Sequence, residues 1–283
     1  MKMSEKLSIL LRIFIANACE NRKILYFHSQ TAIAMLSQKG LTAVTFNRDK
    51  ISSPGIYPFN IPALKNFSTL PLHPKVTYFS GENGMGKSTL IEAIAVACGF
   101  NPEGGSLNFN FSTRASHSVL HQYIRVARAA VRAKDGFFLR SESFFNVGTN
   151  IEELDKENMG PKVIDNYGGV SLHEQSHGES FWALLSHRFG GNGLYILDEP
   201  EAALSPTRQM AMLTRMHQLI GRQSQFIIAT HSPIVMAYPD ATIYQLTENG
   251  IKKTSYTETE NYKTSYHFIN NYKNMLKILL EDV

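Results

Sequence analysis

The sequence is poor in cysteine. Only Cys19 and Cys98 occur among 283 residues, which supports neither a disulfide framework nor the paired spacing of zinc ligands. Because so few thiols fit a reducing compartment, we expect a cytoplasmic protein. Cys98 falls in an apolar helical pattern, where a small buried thiol is the expected role.

The sequence also lacks an apolar run of the roughly 20 residues that a membrane helix needs. The best candidate, residues 7–19, is interrupted by Arg12. Its small residues Ala16-Asn17-Ala18 resemble a signal-peptide cleavage site, but Glu5 and Arg12 argue against a secretory signal. We therefore expect residues 1–38 to be an N-terminal extension that is weakly structured or forms an amphipathic helix.

Neither basic nor acidic residues are in large excess. The net charge is +4, and 18% of the residues are charged against 43% that are hydrophobic, as is usual for a globular protein with a core. Residues 104–134 nevertheless contain no acidic residue, and on a helix Arg125, Arg128 and Arg132 would form one basic stripe. Such a stripe is either a solvated face or a contact surface for nucleic acid or an acidic protein partner.

One short stretch carries specific chemistry. GENGMGKST, residues 81–89, has the P-loop spacing, in which glycines let successive backbone N–H groups turn toward phosphate oxygens. Lys87 would reach the phosphates and the Ser88 hydroxyl would ligate Mg²⁺. The alternative is an ordinary glycine-rich turn. The β-forming stretch 75–80 before it and the apolar helical pattern 88–100 after it favour a P-loop.

Strand and helix patterns alternate after this loop. Residues 193–200 and 224–233 are apolar runs that end in polar groups, and residues 241–256 have the pattern of a hairpin. Ser205 and Pro206 form the start signal of a helix. This alternation predicts an α/β fold with a largely parallel sheet that is covered on both faces.

Three predicted strands end in groups suited to ATP chemistry, because ligands of such sheets bind at the carboxyl ends of the strands. Asp198 would hold Mg²⁺ opposite Ser88. Glu199 would orient and deprotonate the attacking water, and His231 would contact the γ-phosphate. Each residue alone has an ordinary explanation as part of a strand-end turn. Their order after a P-loop favours the catalytic interpretation.

With these motifs the sequence resembles the ABC-type ATPases. Its P-loop matches their fuller form, which includes Asn83. LYILDEP is similar to their Walker B strand with its catalytic glutamate, and ATHSP is similar to their switch-histidine loop. In QSHGES, residues 175–180, Ser176, Gly178 and Glu179 match the signature motif, although His177 departs from it and a Ser-capped helix start explains the same residues.

This resemblance implies a P-loop NTPase fold with a mostly parallel central sheet and a short helical subdomain. The ATPase domain would span residues 39–256, with a helical or inserted region over about 104–180, and a C-terminal helix would lie within 257–283. ATP and Mg²⁺ would be bound between two subunits of an ATP-dependent homodimer. The implied catalytic residues are Glu199, His231 and Lys87, the metal ligands are Ser88 and Asp198, and the nucleotide-binding residues are Gly81, Asn83, Gly84, Gly86, Lys87, Ser88, Thr89, Ser176, Gly178 and Glu179.

The residues after Asp-Glu-Pro indicate the branch of the family. Glu201 follows that motif and Ser205 stands where transporter subunits usually have aspartate, as in soluble AAA-like ABC ATPases. Such a protein would act as a switch or motor on a protein partner that the sequence does not identify. The alternatives are a transporter's nucleotide-binding subunit, and an ATP-gated binding module with little turnover that holds a nuclease or nucleic acid.

Two further features have two interpretations each. Arg140 and Glu142 would share one face of a strand, either near the nucleotide or as a surface ion pair. Tyr57 and Phe59 would either stack on adenine or pack in the core.

Overall fold

The computed structural model describes residues 40–107, 118–157 and 160–280. The expectations for the N-terminal extension therefore fall outside the described residues. Within the described residues, the strands are β1 (Leu41–Phe46), β2 (Thr69–Pro71), β3 (Val76–Ser80), β4 (Gly105–Ser106), β5 (Ile124–Arg128), β6 (Asp135–Arg140), β7 (Gly193–Asp198), β8 (Gln225–Ala229), β9 (Thr242–Thr247) and β10 (Gly250–Thr254). The α-helices are α1 (Lys87–Cys98), α2 (Phe144–Glu157), α3 (His177–Ala183), α4 (Pro206–Gly221) and α5 (Glu260–Leu280).

The central sheet has seven strands in the order β10-β9-β3-β8-β7-β6-β4. The five inner strands pair in parallel, and β4 and β10 pair antiparallel at the two edges. Every residue of β3, β7 and β8 is buried, which explains why these strands are near-continuous apolar runs rather than alternating patterns. The predicted α/β fold with a mostly parallel sheet is confirmed.

Apolar side chains pack on both faces of this sheet. One face is covered by α1 together with a small antiparallel sheet in the order β2-β1-β5. The other face is covered by α2, α3 and α4. The region 104–180 therefore contains more than helices, because β5 belongs to the small sheet and β6 belongs to the central one.

The predicted basic helix around residue 125 is wrong. Residues 124–128 form β5, which pairs antiparallel with β1, so Arg125, Arg128 and Arg132 do not form a helical stripe. Ile124 and Val126 alternate with Arg125 and pack into the core, a period of two that favours a strand over a helix. Arg128 donates to the carbonyl oxygen of Cys98 at 3.1 Å, which uses part of its donor capacity within the fold.

The N-cap that the sequence indicates for α4 is present, whereas the cap of α5 lies at a different residue from the one that the sequence suggests. At α4, Ser205 is the N-cap residue, and its hydroxyl accepts from the N–H of Arg208. At α5, residues Thr257 and Glu260 suggest a capping box, but the helix begins at Glu260 and it is Thr259 that accepts from the N–H of Tyr262 at 3.3 Å. Thr259 is fully buried, so it contributes to packing as well as to the helix cap.

Candidate functional site

The loop between β3 and α1 contains the predicted P-loop. Gly81, Gly84 and Gly86 all have positive φ, which L side chains rarely adopt. At Gly81 a Cβ would lie 2.5 Å from the backbone oxygen of Leu246, so this position also requires glycine for lack of space. Asn83 and Gly84 are exposed at the tip of the loop, whereas Lys87 is buried at the start of α1.

The Lys87 ammonium lies under the loop and donates to the backbone oxygen of Glu82 at 3.1 Å. Its burial lowers its pKa, while the charges of Glu199, Asp198 and Glu201 act in the opposite direction. A buried ammonium that is held by one neutral acceptor has capacity for an anion, which is the position a P-loop lysine needs.

Ser88 and Asp198 meet as expected for a Mg²⁺ site. The Ser88 hydroxyl donates to Asp198 Oδ1 at 3.1 Å. Burial raises the pKa of Asp198 to about 7, against the opposing effect of the Ser88 hydrogen bond. No group of three or more His, Cys, Asp or Glu side chains among the described residues could hold a metal. A hydroxyl and one carboxylate therefore fit Mg²⁺ that takes its other ligands from phosphate and water.

Glu199 follows Asp198 in a left-handed conformation, with φ of 49° and ψ of 54°. This turn brings its carboxylate to 3.3 Å from Nε2 of His231, which follows β8. The two atoms lie close without forming a well-oriented hydrogen bond, and His231 Nε2 is buried without such a partner. Strained backbone and an unsatisfied polar atom often mark functional sites.

Two residues that the sequence interpretation missed hold these groups in place. The Ser141 hydroxyl lies 2.8 Å from the backbone oxygen of Asp198 and 2.9 Å from that of Glu199, and donates to this pair. Glu201 accepts from the backbone N–H groups of His231 and Ser232. Both lie just beyond the carboxyl end of a central strand, and this position is the signal that would have pointed to them.

The open alternatives for the residues around the P-loop are partly resolved. Phe59 is buried and packs edge-on against Tyr123, so it belongs to the core. Tyr57 is 60% exposed, and its hydroxyl lies 3.1 Å from that of Thr89 beside the P-loop. Tyr57 therefore keeps the adenine-stacking interpretation.

Arg140 ends β6 and lies next to Asp198 in the strand register. Its guanidinium contacts Glu92 Oε2 at 2.7 Å and Glu142 Oε2 at 3.4 Å. Glu92 lies on α1 and is nearly buried. The pair of Arg140 with Glu142 is the expected surface pair, but the shorter contact links the P-loop helix to the end of β6.

The signature residues lie at the start of α3. Ser176 is the N-cap residue and forms a full capping box with Glu179, and the hydrogen bonds from Ser176 lower the pKa of Glu179. At Gly178 a Cβ would lie 2.7 Å from the backbone oxygen of Ala203. Within the described ranges, no hydrogen bond or ion pair joins these three residues to the P-loop, Asp198, Glu199 or His231.

Fold and site together define a P-loop NTPase: a mostly parallel sheet with a P-loop after β3, an acidic pair at the end of β7 and a histidine after β8. One family model, described as "AAA domain, putative AbiEii toxin, Type IV TA system", matches residues 127–237. A second, described as "AAA domain", matches residues 56–175.

Curated relatives agree with this class. The cytochrome c biogenesis ATP-binding export protein CcmA of Brucella abortus (strain 2308) is 27% identical over 164 residues, which cover 55% of this chain and 72% of the relative. The same protein of Brucella suis biovar 1 (strain 1330) matches equally well. These matches to AAA-type models and to an ABC ATP-binding protein confirm the resemblance that the motifs indicate.

Two solved structures show more distant similarity. A nucleotide-free ATP-binding cassette from an ABC transporter has a TM-score of 0.42 and 17% identity, covering 69% of this chain and 86% of its own. The SMC head domain from Thermotoga maritima has a TM-score of 0.37 and 16% identity, covering 76% and 99%. At these scores neither structure supports an argument about function. In the described part of the chain, no helix combines the length and apolarity needed to span a membrane.

Proposed function

We propose that this chain binds and hydrolyses ATP in an ABC-type cycle, in which Mg²⁺-ATP joins two copies and hydrolysis releases them. The cycle would act as a switch or motor for a partner. The observation that carries the proposal is the convergence of four groups at the carboxyl ends of three adjacent strands. Ser88 meets Asp198 at 3.1 Å, and Glu199 meets His231 at 3.3 Å.

The nucleotide-binding part of the site is formed by the P-loop. The backbone N–H groups of residues 81–89 and the Lys87 ammonium would hold the phosphates. Ser88 and Asp198 would hold Mg²⁺, which supplies positive charge against the phosphates. Because the hydroxyl and the carboxylate already face one another, binding requires little rearrangement of this pair.

The hydrolytic part of the site is formed by Glu199 and His231. Glu199 carries a carboxylate beyond the Mg²⁺ ligand Asp198 and would accept a proton from the attacking water. His231 has a ring nitrogen that lacks a well-oriented partner, so it can hydrogen-bond a phosphate oxygen. Both residues act mainly by position and charge, as is general for phosphoryl transfer.

A second copy would supply the signature residues, because no hydrogen bond or ion pair in the described ranges joins them to their own P-loop. Ser176, Gly178 and Glu179 form hydrogen bonds only within α3 and its cap in the described ranges. We propose that they complete the nucleotide site of the other subunit. Each ATP would then contact the P-loop of one copy and Ser176 of the other.

A complementation experiment tests this composite site. Lys87→Ala should inactivate the P-loop, and Ser176→Asn should block the signature while it keeps a good helix cap. Each variant alone should lose ATPase activity. After mixing, a mixed dimer has one site with an intact P-loop from one copy and an intact Ser176 from the other, so activity should partly return.

The matched control is a mixture of Lys87→Ala with Glu199→Gln. Lys87 and Glu199 belong to the same subunit's part of each composite site. No mixed dimer therefore contains a complete ATP site, and activity should stay absent. An active Ser176→Asn variant, or the absence of any recovery in the first mixture, would show that the composite site is wrong. If the wild-type protein shows no turnover but still binds ATP, the binding module with little turnover would replace the ATPase proposal.

The similarity to CcmA favours one second candidate, a nucleotide-binding subunit of a transporter. Glu201 and Ser205 depart from the usual transporter residues, as the sequence indicates. Affinity purification from detergent-solubilised membranes distinguishes the two. Stoichiometric recovery of a membrane-spanning protein would support the transporter subunit and argue against an independent switch.

A further inference from the structure

The turns that enter the central strands carry exposed basic side chains. Lys75 precedes β3, Lys134 precedes β6 and Arg222 lies in the turn before β8, and all three are exposed. Because the inner strands of the sheet pair in parallel, these turns share one edge. That edge lies at the amino ends of the strands, opposite the edge that carries Asp198 and His231.

Two further cations lie at the same edge. β10 runs antiparallel to β9, so its last residues return to the amino end of β9. Burial lowers the pKa of His73, and the charges of Lys75 and Lys253 add to this effect, so Lys253 lies near the turn before β3. Arg132 is exposed in the turn that joins β5 to β6. These five cations, here called the basic edge, are Lys75, Arg132, Lys134, Arg222 and Lys253.

Few carboxylates offset this charge. Asp135 starts β6, but Arg188 Nη1 lies 2.9 Å from its Oδ1 and neutralises it. Asp240 is the acidic residue in the turn before β9, and it lies 3.8 Å from Lys75. Among the described residues, no ion pair involves the other four members of the basic edge. A solvated surface usually mixes both signs of charge, so this edge has an unbalanced positive field.

A structural role explains some of the arginines in this region. Arg222 follows the last residue of α4, where a cation interacts favourably with the helix dipole. Arg128 donates to the backbone oxygen of Cys98 at the end of α1, at 3.1 Å, and is therefore left out of the basic edge. No such contact involves Lys134 or Lys253 in the described ranges, so these lysines are free to bind an anion.

The cations form a row rather than a cluster. Five steps between neighbouring strands separate β10 from β6, and each step is about 4.8 Å, so the row extends over roughly 24 Å. The order along the row is Lys253, Lys75, Arg222 and Lys134, as their strands are ordered in the sheet. A row of this length fits a continuous polyanion better than a single small anion. Duplex nucleic acid carries one negative charge per about 1.7 Å of its axis.

The basic edge offers little apolar surface. In the described turns that enter the central strands, Val131 is exposed by 40%, whereas Leu72, Phe189 and Tyr238 are buried. Protein interfaces and membrane surfaces use exposed apolar or aromatic side chains. Single-stranded nucleic acid needs aromatic rings on which bases stack. The backbone of a duplex is bound by charge alone, so it is the anion that this edge fits.

We propose that the basic edge binds the phosphate backbone of double-stranded nucleic acid without reading its sequence. The contact replaces the basic helical stripe that composition suggests, and it uses other residues, because Arg125 lies within β5 beside Thr45. The P-loop and Glu199 take no part in it. The proposal therefore goes beyond the ATPase cycle and does not depend on it.

The first test is binding to a fluorescein-labelled 30-base-pair DNA duplex, measured by fluorescence anisotropy in chelator without nucleotide. The dissociation constant should be about 1 µM or lower at 50 mM NaCl, and the affinity should fall by about two orders of magnitude at 200 mM, as expected for four or five phosphate contacts. A single strand of the same length should bind more weakly. Absence of duplex binding at 50 mM NaCl, or tighter binding of the single strand, would overturn the proposal.

Charge reversal locates the contact. Lys134→Glu with Arg222→Glu should weaken duplex binding at least about tenfold and reduce the slope of log affinity against log salt by about 2. The matched control is Lys50→Glu with Lys65→Glu, because both lysines are exposed near the other ends of β1 and β10. This control has the same net charge and should bind nearly as the wild type does.

Both pairs of substitutions leave residues 1–39 unchanged, so the charges of that segment are the same in each comparison. Thermal unfolding shows whether each variant is folded. An equal loss of binding in both pairs would mean that only the overall charge matters, and it would overturn the assignment to the basic edge.

Removal of the acidic residue in the row gives an effect of opposite sign. Asp240→Asn should tighten duplex binding by about two- to fivefold, because the carboxylate repels phosphate and competes for Lys75. A misfolded variant would not gain affinity, so this result distinguishes the contact from a loss of structure. Unchanged or weaker binding by Asp240→Asn would contradict the proposal.

Acetylation of lysines in the wild type, followed by mass spectrometry, maps the contact without substitutions. The duplex should protect Lys75, Lys134 and Lys253, and leave Lys50 and Lys65 as reactive as before. Protection of the last two alone would place the duplex elsewhere. Phosphatidylcholine–phosphatidylglycerol vesicles are the competing anionic surface. Vesicle binding that Lys134→Glu with Arg222→Glu abolishes, without duplex binding by the wild type, would assign the basic edge to lipid. Loss of ATPase activity in any variant bears on the nucleotide site and leaves these results unchanged.

Discussion

The backbone N–H of His231 donates to Oε1 of Glu201 at 2.5 Å, and the N–H of Ser232 donates to the same oxygen at 3.2 Å. The second glutamate of Asp-Glu-Pro-Glu thus holds the loop that follows β8, while the first, Glu199, faces the His231 ring. The carboxylate of Glu201 therefore connects the loop after β7 to the loop after β8. This geometry makes Glu201 a positioning residue for His231.

Replacing Glu201 with alanine should therefore impair turnover more than ATP binding. Loss of the carboxylate leaves the N–H of His231 without its acceptor, at about 1–3 kcal/mol, while the N–H of Ser232 keeps Oγ1 of Thr230 at 3.0 Å. A misplaced His231 should lower kcat by about 10- to 100-fold. Glu201→Gln keeps a carbonyl acceptor and should stay closer to the wild type. Steady-state kinetics should show a lower kcat with a smaller change in KM, and thermal unfolding shows whether each variant is folded. A fall in melting temperature with unchanged kcat would assign Glu201 to stability alone.

Arg140 contacts Glu92 as well as Glu142, and it lies beside Asp198 in the strand register. The Glu92 side chain is 7% exposed and accepts from Arg140 and from the backbone N–H of Ser118. Removing the guanidinium would leave this carboxylate buried without its counter-charge. Arg140→Ala should accordingly lower the free energy of unfolding by about 3–5 kcal/mol.

A double-mutant cycle in urea measures this coupling. Glu92→Gln with Arg140→Ala should be more stable than Arg140→Ala alone, because the uncompensated charge has gone. Glu142 is 83% exposed and also contacts Arg140, so Glu142→Gln is the matched control and should change stability by less than about 1 kcal/mol. A variant Arg140→Ala of normal stability with a raised KM for ATP would favour the nucleotide-site interpretation instead.

The sequence predicts those parts of the fold that depend on local patterns. The strands β3, β7 and β8 and the helix caps at Ser176 and Ser205 follow from apolar runs and side-chain chemistry within a few residues. The prediction of a basic helical stripe is wrong because a segment with several arginines can form either a helix or a strand. The pairing of β5 with β1 decides in favour of the strand. The position after a strand end points to Ser141 and Glu201, but their partners lie 57 and 30 residues away in the chain, so no local pattern identifies the contacts they make.

Asp198 couples the site to pH. Burial raises its pKa to about 7, and the Ser88 hydrogen bond opposes that shift. In the unfolded chain an aspartate titrates near pKa 3.9. Between these two values the folded protein holds a proton that the unfolded chain has released. Without Mg²⁺ and nucleotide, the contribution of Asp198 should therefore make the free energy of unfolding fall as pH rises from about 4 to about 7, and level off above that.

Asp198→Asn removes this dependence, because the amide has a similar shape and does not ionise. In chelator at pH 8 the variant should be more stable than the wild type, by on the order of 2–4 kcal/mol. At pH 4, where the carboxyl is protonated in the folded state, the two should be alike. Urea unfolding at a series of pH values measures both. Asp240→Asn is the control, since that carboxylate is 79% exposed and its replacement should leave the slope unchanged. Equal stability of Asp198→Asn and the wild type at pH 8 would mean that the Asp198 carboxylate is not destabilised by burial, and that the site does not need a cation to offset its charge.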